Sequence, residues 1–207
     1  LRPKSADVQA QHVIPAWYHL AGSTLQAMKS DAVPVVVHVV VMGVAGCGKS
    51  AVGQRIARHL NSPLIEGDDF HPASNIAKMQ QGMALTDADR ADWLHTLAAE
   101  LVKQPKGAVL TCSALKSAYR ETLRLGVQSL YFVHLAITQA ESLRRVGNRP
   151  GHFYPPSLVA SQFAALQDPA QEARVLTLDG QLPLEELAAQ AARWLRPGRL
   201  TDSVVPK

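Results

Sequence analysis

The sequence predicts a three-layer α/β fold: five short strands in one parallel sheet, with helices on both faces. Two observations point to it. From Val35 onward, short apolar runs alternate with segments of helical periodicity. The first run is followed at once by Gly43-Val-Ala-Gly-Cys-Gly-Lys-Ser50 and then by the helical spacing Val52, Ile56, Leu60, so a glycine-rich loop joins a strand to a helix.

The elements follow in order along the chain. Val35–Met42 is continuously apolar, as a strand buried on both faces should be. Ser50–Leu60 is the first helix and Leu64–Glu66 a short second strand. Ser74–Gln81 is a short helix with Ser74 as a possible N-cap. Thr86 caps a long helix running to about Lys103, with acids in its first turn and Leu94, Leu97 and Leu101 on one face. Ala108–Cys112 is the third strand, Leu115–Leu125 a helix, and Leu130–Leu135 the fourth strand. Thr138-Gln-Ala-Glu141 is a capping box opening a helix to about Gly147. A Gly/Pro-bearing stretch, Asn148–Pro156, precedes a helix to Leu166. Val175–Leu178 is the fifth strand, and Leu184, Leu187, Ala191 and Leu195 line a last helix. No internal repeat or low-complexity tract interrupts this order.

The chain has 207 residues, of which 47% are hydrophobic, enough for one domain with a sizeable core. The pI near 9.2 raises the question of nucleic acid. Between Asp31 and Leu195, however, 15 Lys/Arg meet 15 Asp/Glu, so the basic excess lies at the two ends and the body has no footprint for DNA or RNA. Residues 33–196 are expected to form the functional domain. Residues 1–32 read as a poorly ordered N-terminal extension without a role in chemistry, Met28-Lys-Ser-Asp resembling a natural start, and 197–207 as a basic tail. The two cysteines, Cys47 and Cys112, make no disulfide framework and no zinc-ligand spacing, which suits a reducing cytoplasm. The apolar run Val33–Met42 is too short to span a membrane, and residues 1–30 contain no continuous apolar run of the secretory kind.

Gly43–Ser50 has the spacing G-x-x-x-x-G-K-S of the phosphate-binding P-loop, in the strand–loop–helix setting that the motif needs. Glycines let successive N–H groups converge on phosphate oxygens, and the helix that follows adds its positive end. Gly43, Val44, Ala45, Gly46, Cys47, Gly48, Lys49, Ser50 and Ala51 are therefore expected to bind a nucleoside triphosphate. Lys49 should reach the β- and γ-phosphates, and Ser50 should ligate Mg²⁺. The fold is thus of the P-loop NTPase type, and the ligand is expected at the carboxyl ends of the strands. That brings together the P-loop, Glu66–His71, Cys112–Arg120, Arg144–Phe153 and the loop after Leu178.

The polar residues of these segments are the candidates. Asp68 can align an acceptor hydroxyl and take its proton; Asp69 is a weaker candidate. Lys116 and Arg120, four apart, are expected to share a face and meet an anionic group, carboxylate or phosphate. Arg145 and Arg149 flank the Gly/Pro-rich stretch, where a mobile lid could close them over the triphosphate; His152 lies beside them. No Asn-Lys-x-Asp guanine signature and no protein-kinase signature is present.

Several segments, in order, carry a family resemblance: the P-loop, Glu66-Gly-Asp-Asp-Phe-His-Pro72, Asn75-Ile-Ala-Lys-Met79, Leu85-Thr-Asp-Ala-Asp-Arg90, Cys112-Ser-Ala-Leu-Lys116, Tyr119-Arg120, Gly151-His-Phe153 and Ser161-Gln-Phe-Ala-Ala-Leu-Gln-Asp-Pro169. Together they resemble the thermoresistant-type gluconokinases, a branch of the shikimate/adenylate kinase-like P-loop kinases, over about Val35–Leu195. The resemblance implies ATP- and Mg²⁺-dependent phosphorylation of D-gluconate at its terminal hydroxyl, a cytoplasmic location and often a homodimer. A polyhydroxy acid needs a carboxylate anchor and several hydroxyl partners, and Asp68, His71, Lys78, Arg90, Lys116, Arg120, His152 and Gln162 supply that mixture; Arg120 with Lys116 is the first expectation for the anchor. Lys49, Asp68, Arg120 and Arg149 are the expected catalytic set. The chain departs from the family in having Pro150 where many relatives have Lys, and Cys47 where many have Ser or Gly. Glu66 is implied as an outer contact to magnesium waters. The alternatives are a kinase of another small polyol or sugar acid such as shikimate, and a nucleotide-binding module that no longer turns over.

Overall fold

The computed structural model describes residues 36–127, 129–148 and 154–196. The proposed extension 1–32, the tail 197–207, and Arg149 and His152 lie outside them. Five strands form one parallel sheet: β1 (His38–Met42), β2 (Leu64–Glu66), β3 (Ala108–Thr111), β4 (Leu130–Ala136) and β5 (Val175–Asp179), in the order β2-β3-β1-β4-β5. Among the described residues, seven α-helices accompany them: α1 (Lys49–Leu60), α2 (Ala73–Gln80), α3 (Asp87–Val102), α4 (Ser117–Gly126), α5 (Gln139–Gly147), α6 (Val159–Ala165) and α7 (Leu184–Trp194).

The alternating faces of β1 and β4 explain the layers. Val39, Val41, Tyr131, Val133 and Leu135 pack with Val52 and Ile56 of α1 and with Leu187 and Ala191 of α7. Val40, Met42 and Phe132 pack on the other side with Trp93, Leu94, Leu97 and Leu101 of α3 and Leu123 of α4. Strands covered on both faces are why these runs read as continuously apolar. Because β1 has β3 on one side and β4 on the other, the chain reverses direction across the sheet beside β1. That switch point is the crevice where the P-loop emerges.

The element order matches the sequence reading; several boundaries differ for local reasons. β1 begins at His38 because its partners begin there, His38 facing Ala108 and Leu130. The helix α2 is started by Pro72, whose φ of −61° suits the entry and whose carbonyl accepts from Asn75 and Ile76 N–H, so Ser74 is not its cap. The turn 113–116 stays outside α4: Ala114 has φ +42° and Lys116 is extended. The complete capping box is at Thr86–Asp89, with Asp89 N–H on Thr86 Oγ1 (3.2 Å) and Thr86 N–H on Asp89 Oδ2 (2.9 Å). At Thr138 only half of one forms, because Glu141 turns its carboxylate to Arg144 and Arg145 instead. A 3₁₀ turn, Pro156–Leu158, precedes α6. Among the described residues, no helix is long and apolar enough to cross a membrane.

Candidate active site

A cavity of about 540 Å³ opens at the carboxyl ends of β1, β2 and β3. Its first half is the P-loop. Gly48 enters α1 with φ +99°, a conformation that a side chain disfavours. Ala45, Gly46, Gly48, Lys49, Ser50 and Ala51 line the cavity. Gly43, Val44 and Cys47, expected among the nucleotide contacts, support the loop instead. Gly43 N–H donates to Ser113 O (3.3 Å) and Cys47 N–H to Val44 O (3.3 Å). The carbonyls of Gly43 and Val44 hold the Lys49 ammonium at 3.2 and 3.1 Å. The Cys47 thiol is buried, and burial pushes its pKa up, with Lys49 opposing.

Ser50 Oγ donates to Glu66 Oε2 (3.0 Å), which also accepts from Thr111 Oγ1 (2.5 Å). A hydroxyl and a carboxylate here form a hard-oxygen set that fits Mg²⁺, an ion that keeps waters and takes phosphate oxygens rather than a full protein cage. Arg144 and Arg145 also line the cavity. Both are held by Glu141, at 2.7 and 2.5 Å, and Arg145 Nη1 reaches Gly46 O at 3.4 Å. Hydrogen bonds from Arg144 first, then Arg145, lower the Glu141 pKa to about 2.

The second half is built from side chains. A 3₁₀ turn, Gly67–Phe70, follows β2 and carries Asp68 into the cavity lining; Asp69 does not line it. The turn is anchored where a side chain could not fit: a Cβ on Gly67 would collide with Thr111 O, and Gly67 O accepts the buried Trp93 indole N–H (2.8 Å). His71 stacks on Trp93, with centroids 4.1 Å apart and planes 14° apart. Burial lowers its pKa to about 4, with Asp68 opposing and Arg90 assisting, so the imidazole is neutral at neutral pH. Its Nδ1 is buried and has no hydrogen-bond partner among the described residues.

Four cations were candidates for an anionic acceptor, and the fold separates them. Arg120 is fully buried. Its Nε meets both oxygens of Glu172 (2.9 and 3.0 Å), its Nη1 donates to Ala114 and Leu115 carbonyls (2.8 and 3.0 Å), and its Nη2 donates to Gln167 O (3.2 Å). It cannot touch a substrate, and the expectation of Arg120 as a catalytic or carboxylate-binding residue is corrected. Lys116 pairs with Asp87 (2.7 Å) and Lys78 with Asp89 (2.5 Å), and neither lines the cavity. The fourth cation, Arg90, does line it. Its Nη1 is tied to the carbonyls of Leu85 and Thr86, it lies 5.8 Å from the Tyr119 ring centre, and no carboxylate among the described residues pairs with it.

Gln162 also lines the cavity, but its Oε1 accepts Ala45 N–H (2.6 Å). The loop after Leu178 borders a separate recess with Ile137 and Thr138. Of the lining residues, Ser113 and Asn148 fall within segments the sequence placed at the site without being named singly, and Trp93 and Tyr154 fall outside them. Trp93 carried a signal, since it heads the stripe 93, 97, 101 at i,i+4 spacing; Tyr154 carried none.

The shikimate kinase family profile matches residues 45–176. The chain is 46% identical over 156 residues to a gluconokinase of Gluconobacter oxydans (strain 621H), covering 72% of this chain and 88% of that protein. It is 38% identical over 164 residues to the thermoresistant gluconokinase of Escherichia coli (strain K12), covering 77% and 94%. A solved gluconokinase structure from Sinorhizobium meliloti 1021 matches with TM-score 0.70 at 42% identity, over 76% of this chain and 90% of that one.

Proposed function

The chain belongs to the gluconokinase family, within the shikimate-kinase-like P-loop kinases, and from that premise we propose that it phosphorylates D-gluconate with ATP, giving 6-phospho-D-gluconate and ADP. The observation that carries this reading is the pairing, in one cavity, of P-loop residues with Asp68 and a cation, Arg90, that forms no ion pair with a carboxylate among the described residues.

The terminal hydroxyl of the acceptor lies against Asp68, which takes its proton as oxygen bonds to the γ-phosphorus. The bond from that phosphorus to the β–γ bridging oxygen breaks, and ADP leaves with the electron pair. Lys49 leaves its two loop carbonyls to meet the β- and γ-phosphates, while Gly46, Gly48, Ser50 and Ala51, which line the cavity, turn their N–H groups to the oxyanions. Arg145 and Arg149 neutralise the spreading charge. Ser50, with Glu66 behind it, would hold Mg²⁺, which supplies charge neutralisation at the phosphates. At the far end Arg90 binds the gluconate carboxylate, replacing Lys116 and Arg120 in that role. Neutral His71, with His152, serves the hydroxyls. Lys116 and Lys78 act through Asp87 and Asp89, shaping the start of α3 from which Arg90 projects.

The same reading carries a cytoplasmic location and a homodimer, the latter open to sedimentation analysis. A coupled ADP-release assay across gluconate, shikimate, AMP and unmodified sugars tests the function. Turnover with gluconate is expected. Turnover with AMP or shikimate and none with gluconate would overturn it.

A further inference from the structure

Ala45, the third residue of the P-loop, is gripped on both of its backbone groups by side chains from elsewhere in the fold. Its N–H donates to Gln162 Oε1 of α6 at 2.6 Å. Its carbonyl accepts from Ser142 Oγ of α5 at 2.7 Å, and Ser142 is fully buried. A backbone N–H can only donate, so the Gln162 carboxamide must turn its oxygen to the loop and its NH₂ away from it. The Tyr154 hydroxyl donates to Leu158 O at 2.9 Å. Tyr154 and Gln162 both line the cavity. The hydrogen bond from Ala45 N–H therefore ties the phosphate loop to α6 in the cavity wall.

The grip also decides which loop donors remain for phosphate. The Ala45 N–H is taken by Gln162 and the Cys47 N–H by Val44 O. Gly46, Gly48, Lys49 and Ser50 line the cavity with their N–H groups unengaged by those partners. A loop whose tip is clamped presents this set without reorganising when the nucleotide arrives, and preorganised donors are the main source of stabilisation in phosphoryl transfer.

We propose that Gln162 is a positioning residue that, with Ser142, sets the phosphate loop for the nucleotide, and that it is not a sugar-acid contact. The proposal rests on the kinase reading above but concerns the nucleotide half alone. It is tested by calorimetric titration of Mg²⁺-ADP into wild type, Gln162→Met and Ser142→Ala without any acceptor, followed by steady-state kinetics. Methionine nearly conserves the volume of Gln162 and removes the acceptor for Ala45 N–H. Nucleotide affinity is expected to fall by about tenfold in each variant, the effect of leaving one part-buried backbone group without its partner and the loop unclamped. kcat should fall with it, while KM for gluconate stays within about twofold, because a hydrogen bond outside the acceptor site adds nothing to its binding. Ser142→Ala keeps the test decisive should Gln162→Met fold poorly. Unchanged nucleotide affinity overturns the proposal, and a raised KM for gluconate alongside it would restore Gln162 as a substrate contact. A wild type that binds nucleotide but leaves gluconate untouched ends only the acceptor assignment, and the calorimetry still decides the role of Gln162.

Discussion

The two halves of the cavity are made of different material. The half proposed for phosphate is chiefly backbone: N–H groups of Gly46, Gly48, Lys49, Ser50 and Ala51, aimed by a loop whose geometry is local. The half proposed for the acceptor is side chain: Asp68 from a turn after β2, His71 before α2, Arg90 and Trp93 from α3, and Tyr154 ahead of α6. A backbone site is specified by one contiguous motif. A side-chain site depends on which charges are already spent on partners distant in sequence. The contrast between Arg90 and Arg120 makes this concrete: both are arginines near the start of a helix, yet one borders the cavity and the other is sealed by Glu172, 52 residues away.

The largest effects should come from groups that act on the reacting atoms. Lys49→Ala is expected to lower kcat by about 10²–10⁴-fold, since it removes preorganised charge from the phosphates; single-turnover phosphoryl transfer reads this directly. Asp68→Asn keeps the size and removes the base, so kcat should fall by about 10²–10⁴-fold with gluconate affinity changing less. Near-normal kcat in Asp68→Asn would move the base elsewhere and dissolve the division between the halves.

A stability effect sharpens the same contrast. Glu172→Gln leaves the buried Arg120 without its counter-charge, which should cost about 3 kcal/mol or more in denaturant unfolding, while KM for gluconate in the surviving fold stays near wild type. A selective rise in KM with unchanged stability would return Arg120 to the acceptor site.

A smaller effect follows from the titrating groups. His71 has its pKa lowered from 6.5 to about 4, so the unfolded chain binds more protons than the folded one between those values. Its stabilising contribution is complete above about pH 6.5 and is lost as pH falls toward 4. Asp89 and Glu141, both lowered to about 2 by hydrogen bonds, from Lys78 first and from Arg144 first respectively, act in the same direction at lower pH. The melting temperature should therefore fall on acidification from pH 7 to 4.5, and His71→Asn should flatten that slope. An unchanged slope in His71→Asn would place the acid sensitivity elsewhere.

The fold was legible because its signals are local and repeated: apolar runs covered on two faces, helical stripes, and the cap at Thr86. The P-loop was legible for the same reason. Asp68 and His71 could be named because a short strand end aimed them. What the sequence hid was pairing. Lys78, Arg90, Lys116 and Arg120 are equivalent in composition, and only the packing of α3, α4 and the 167–172 segment sorts them into spent and available charges. Gln162 was hidden differently: its partner is a backbone N–H of Ala45, 117 residues earlier, and no side-chain pattern announces such a contact.

The central claim is that specificity resides in the side-chain half, with Arg90 reading the carboxylate. It is tested most directly by comparing wild type and Arg90→Gln on D-gluconate and on D-glucitol, its reduced counterpart with a hydroxymethyl group in place of the carboxylate. The account predicts a KM for gluconate raised by about 10–100-fold in the variant, the loss of a charge-assisted hydrogen-bonded pair. Nucleotide affinity should be unaltered, and the wild-type preference for gluconate over glucitol should be abolished. An Arg90→Gln enzyme that keeps both its gluconate KM and its preference for the acid would contradict it.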